Sequence, residues 1–106
     1  MIETTIRMTV PAEKRKEILQ TIKAILGPIR GERGCMRCNC YVDIEDEQVL
    51  FLEEEWKIRE DLENHLRSDY FGVLIGAMKL LRATPDIRFN AVSSTTGPET
   101  IQAARA

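Results

Sequence analysis

One histidine, one tryptophan and a run of three glutamates lie close together in this chain, and they carry most of the chemistry it offers. His65 is the only side chain whose ordinary pKa lies near neutrality. Leu62 and Leu66 flank it at helical spacing, which puts it on or beside an inward-facing stripe. There it could take a proton from a phenol or hydroquinone, leaving an electron-rich anion for reaction with dioxygen. A lone helical histidine also serves as a structural residue, hydrogen-bonded to backbone or to a carboxylate. Trp56 has the same double reading: a core anchor where a strand meets a helix, or a pocket wall for a flat aromatic substrate. Alternation sends Glu53 and Glu55 to one side of their strand and Glu54 to the side of Trp56. An inward Glu54 requires an Arg or Lys partner, or else a raised pKa. Structural pairing is its simpler role, and catalysis the alternative.

Cys35, Cys38 and Cys40 form C-x-x-C-x-C, a spacing that invites a metal. Zinc needs four converging ligands. On a regular strand Cys35 points away from Cys38 and Cys40, and a flat strand does not wrap an ion. Small core hydrophobes are the expected role, and no metal is expected. Three is also an odd number, so the thiols do not all pair internally. No Gly-rich phosphate loop, serine elbow or catalytic triad is present.

The elements that position these residues follow from periodicity. Ile2–Val10 alternates and reads as a half-buried strand. From Ala12 to about Leu26 the period becomes 3.6, with Ile18, Leu19, Ile22, Ile25 and Leu26 on one stripe, Ile29 as an optional extension of it, and Gly27-Pro28 as the stop. Cys35–Ile44 and Val49–Trp56 are two further strands, joined by the acidic turn Glu45–Gln48 as an antiparallel hairpin. Lys57–Leu81 is helical, with a break near Ser68-Asp69 and Asp69 as the N-cap of the second piece. Ile87–Thr95 is a last strand. Strand, helix, strand, strand, helix, strand is the order of an α+β, ferredoxin-like sandwich: one antiparallel sheet with helices on one face. The domain spans residues 1–96, and 97–106 form a small, polar tail that frays or docks on a neighbour.

Length and charge narrow the classes. The 106 residues make one domain, and 15 Lys and Arg against 17 Asp and Glu give a net charge of −2. That balance argues against nucleic acid as a partner. No apolar stretch approaches a membrane span, and the N-terminus lacks a leader pattern, so the expected location is cytoplasmic. Val49 and Phe51 fall on one face of their strand, and Leu50 and Leu52 on the other. The Tyr70–Leu81 segment is apolar nearly all round. Such a surplus in a short chain predicts a homodimer with sheets meeting face to face, or an internal cavity.

The stretch from Glu53 to Phe71 joins an acidic residue and Trp at a strand end to a helix carrying Leu, then His, then Ser and Phe. This resembles the antibiotic biosynthesis monooxygenase family, and the likeness runs from Ile2 to about Ser94. The resemblance implies a dimeric α+β barrel. It also implies a monooxygenase that uses no cofactor and acts with dioxygen on a small quinol or polycyclic phenol. His65 and Trp56 would then be catalytic. Glu54, Leu52, Tyr70, Phe71, Leu74 and Met78 would line an apolar substrate pocket between the sheet and the Tyr70–Leu81 helix. Haem degraders of the family carry a histidine in the later helix. Leu74, Ile75 and Gly76 stand there instead, so haem iron would lack its protein ligand. Two other readings stay open: a non-catalytic, stress-associated module that shelters a small ligand, and an isomerase on the same scaffold.

Overall fold

Strand β1, Ile2–Thr9, alternates as its sequence requires, and its inward residues Thr4, Ile6 and Met8 are buried. In the computed structural model, which describes residues 1–106, a 3-10 turn at Ala12–Lys14 leads into helix α1, Arg15–Arg30. Ile18, Ile22, Ile25 and Ile29 form its buried stripe. Gly27-Pro28 does not stop the helix, contrary to the expectation from sequence. Pro28 forfeits one backbone bond, but the extra turn buries Ile29 completely, which contributes about 2 kcal/mol. That turn also brings Arg30 Nε–H to the Cys38 carbonyl at 2.9 Å.

Strands β2 (Cys35–Val42), β3 (Val49–Trp56) and β4 (Asp86–Ala91) complete a sheet of order β2-β3-β1-β4, antiparallel throughout. Helices α2 (Arg59–Leu66) and α3 (Asp69–Met78) pack with α1 on one face. This is the α+β ferredoxin-like fold. The hairpin turn needs no Asn-Gly, because the Asp43 and Asp46 carboxylates accept from the Glu45 and Gln48 amides. Ser68 caps α3, its Oγ accepting from Phe71 N at 3.2 Å; it replaces the Asp69 cap expected from sequence. The tail does not simply fray, since Glu99–Ala104 form a short helix, α4, whose residues are all exposed.

A register shift between Cys35 and Arg37 changes the cysteine geometry. Met36 is pushed out to 58% exposure, and Cys35 turns to pack on the core beside Cys38 and Cys40. The expected opposite orientation of Cys35 is therefore corrected: a bulge adds one residue and flips everything before it. Gly34, just ahead of β2, has φ +78°, and the Asp61 carboxylate occupies the space where a Cβ would stand. Only glycine fits that junction.

On the inner face, register places Cys38, Glu54, Thr4 and Phe89 in one row across the four strands. Trp56, Ile2 and Ala91 form the next row. The outer face is mostly polar, with a buried Val49, Tyr41 and a half-buried Phe51 as its apolar residues; Arg7 lies over the Phe51 ring. No helix is long and apolar enough to cross a membrane.

Candidate functional site

Strand β3 ends inside the protein with two unusual inward residues. Its alternation buries Leu50, Leu52, Glu54 and Trp56 at 0% exposure. Glu54 Oε1 accepts the Trp56 indole N–H at 3.0 Å, and its Oε2 lies 3.1 Å from His65 Nε2. The other ring nitrogen, Nδ1, lies 2.8 Å from Glu32 Oε2 in the loop before β2. His65 is itself buried and stacks on Trp56, with centroids 4.5 Å apart and planes 25° from parallel. The Phe71 ring meets it edge-on at 5.3 Å.

One imidazole thus sits between two carboxylates, on an indole. Burial alone would lower the His65 pKa. The hydrogen bond and charge of Glu54, and then those of Glu32, outweigh burial and leave it above the ordinary imidazole value. The two carboxylates favour the charged ring, which donates from both nitrogens. The cluster thus sets two carboxylates against one imidazole, with the indole N–H as a further donor to Glu54.

The structure brings Glu54, Trp56 and His65, each expected to face inward, into one contact cluster. The partner of Glu54 is a histidine rather than the Arg or Lys expected. Leu52, Phe71 and Leu74 pack nearby, at 0%, 8% and 0% exposure. Tyr70 faces solvent and Met78 is partly buried against the core. The chamber expected between the sheet and α3 is not hollow, because Phe71, Leu74 and Ala77 fill it. One face of the indole is covered by His65, where a substrate ring was expected to stack.

Two clefts adjoin the cluster instead. An apolar groove of about 330 Å³ is lined by Ile2, Leu62, Leu66, Phe89 and Ala91, with Arg59 and Glu63 at its rim. It opens because the helices do not cover β4, whose six residues are all exposed. Ile2 pairs with Trp56, and Leu62 and Leu66 bracket His65, so the groove lies one side-chain layer from both rings. A polar crevice of about 200 Å³ reaches His65 from the other side, lined by Glu32, Arg33, Asp61, Asn64 and Ser68. Glu32 and the groove residues were missed in the sequence. Glu32 lies in a loop 33 residues from its histidine, and no local spacing announces it.

The cysteines offer no metal cage, and no group of three His, Cys, Asp or Glu converges as ligands. Burial raises all three thiol pKa values, that of Cys38 to about 12, and these thiols stay protonated.

Residues 1–76 match the family described as antibiotic biosynthesis monooxygenase. The chain belongs to that family. Solved structures agree with the match. A conserved protein from Methanosarcina mazei is 27% identical, with a TM-score of 0.80 over 84% of this chain and 89% of its own. An antibiotic biosynthesis monooxygenase is 18% identical at TM-score 0.81, covering 89% of this chain and 100% of its own. Rv0793 from Mycobacterium tuberculosis is 21% identical at TM-score 0.81, with coverage of 91% and 98%. No curated protein matches the chain. For this antibiotic biosynthesis monooxygenase family member, the cluster around His65 is the candidate site.

Proposed function

We propose that this protein is a monooxygenase of a small quinol or polycyclic phenol and works without metal, flavin or haem. The observation that carries the reading is the Glu32–His65–Glu54 cluster, two carboxylates on one buried imidazole, behind an apolar groove. A flat substrate enters the groove over Ile2, and its acidic proton passes to Glu54. Glu54 keeps that proton until the peroxide takes it up; His65, held at Nδ1 by Glu32, hydrogen-bonds the Glu54 carboxyl group from Nε2 and keeps it aimed at the substrate. Trp56 holds Glu54 in place through its indole N–H. The substrate anion, in a water-poor site, then gives an electron to dioxygen. Radical recombination forms a carbon–peroxide bond. At an activated methylene, loss of water leaves a carbonyl: one oxygen atom is inserted, and the other departs with the two methylene hydrogens.

A second copy of the chain is part of the proposal. Tyr41 and Phe51 on the open sheet face, and exposed Tyr70, Val73 and Ile75 on α3, are apolar surface that a homodimer would cover. The complete packing around Trp56 also favours a second reading, a binding module that shelters a ligand in the groove without turnover.

Oxygen uptake with anthrone and a set of reduced quinones tests the proposal. Uptake that is lost in His65→Ala and slowed in Glu32→Gln, with both variants folded by circular dichroism, supports it. Tight binding without uptake supports the module, and product formed under anaerobic conditions supports an isomerase.

A further inference from the structure

Among buried side-chain oxygens and nitrogens, the Thr4 hydroxyl alone has no hydrogen-bond partner, and Thr4 is 0% exposed. An orphaned buried hydroxyl is a net cost to folding, and valine of the same shape would avoid it. Its isolation has a structural cause. Thr4 sits between Glu54 on β3 and Phe89 on β4 in the same inward row. The Glu54 oxygens are turned to Trp56 and His65, and neither lies within hydrogen-bonding distance of Thr4 Oγ1. The other neighbour, Phe89, offers no polar atom.

Phe89 is also a wall of the apolar groove, and Ile2, two residues before Thr4 on the same face, lines it too. Phe89 lies on an edge strand and is 48% exposed, so its ring is free to turn towards solvent. Resting on the groove as the substrate site, we propose that Thr4 Oγ1 binds a hydroxyl or carbonyl oxygen at the leading edge of a flat ring that displaces Phe89. The groove then holds the carbon skeleton by burial, and Thr4 reads the oxygen beside Glu54. The ligand class is a planar aromatic with an oxygen substituent at one end; the unsubstituted ring leaves the hydroxyl unpaired and binds less well.

Calorimetric titration of the wild-type protein, Thr4→Val and Thr4→Ser with naphthol and with naphthalene tests this. The wild type and Thr4→Ser are expected to prefer naphthol by about fivefold to tenfold, the effect of one hydrogen bond. Thr4→Val is expected to lose that preference, bind naphthalene unchanged and melt no lower than wild type. Equal binding of the two probes by wild type overturns the assignment of Thr4 while leaving the groove as a ligand site. Binding of neither probe overturns both. A Thr4→Val variant that melts several degrees lower without losing discrimination assigns the hydroxyl a structural partner instead, and overturns the proposal.

Discussion

Helices α1 and α2 pack on the same sheet face with stripes of different composition. The α1 stripe is four isoleucines, whereas α2 buries Leu62 together with Asp61 and His65. Apolar burial alone accounts for α1, since each isoleucine contributes about 2–3 kcal/mol by leaving water. The same argument fails for α2. Its buried imidazole and the facing Glu54 both pay desolvation, and replacement of such groups by apolar residues is often neutral or stabilising. The contrast separates a helix kept for packing from one whose inward face holds charge that packing does not require.

The comparison breaks most directly at Glu54. Its replacement in Glu54→Ala leaves the His65 imidazolium short of one carboxylate and the indole N–H unpaired, and is expected to cost about 3–5 kcal/mol. The His65 pKa, followed by NMR, falls in the same variant. In α1, Ile22→Ala is expected to cost about 2–4 kcal/mol in urea unfolding and to leave the His65 titration where it was. A comparable drop of the imidazole pKa in both variants would erase the distinction between the helices.

Protonation sharpens the contrast further. His65 has a folded pKa above its unfolded value of 6.5. Its contribution is fully present below that pH and is lost as pH rises through the folded value. Urea midpoints should therefore decline across that window in the wild type and stay flatter in His65→Gln. The smallest effect belongs to the outer side of α2. Arg59 and Glu63 form an exposed pair at 3.4 Å, so Arg59→Ala should change stability by less than about 0.5 kcal/mol.

Local pattern made much of this legible. Strand β3 runs from Val49 to Trp56 as its alternation requires, and Glu54, Trp56 and His65 meet because strand and helix periods aim them at one another. Features set by distant packing were hidden. The extra turn of α1 depends on a pocket for Ile29, and the orientation of Cys35 on a bulge that exists only once β2 pairs with β3. The groove follows from helices that stop short of β4, which the alternation of Ile87 and Phe89 does not disclose. Composition counted the apolar residues of α3 but not how closely Phe71, Leu74 and Ala77 interlock.

The close fit of the Asp61 carboxylate against Gly34 bears on how the scaffold can be re-engineered. That junction leaves no room for a grafted peptide or even a methyl group without dislodging α2. The acidic hairpin tip, where Ile44 is 99% exposed, is the place to append an affinity tag or a fluorescent label.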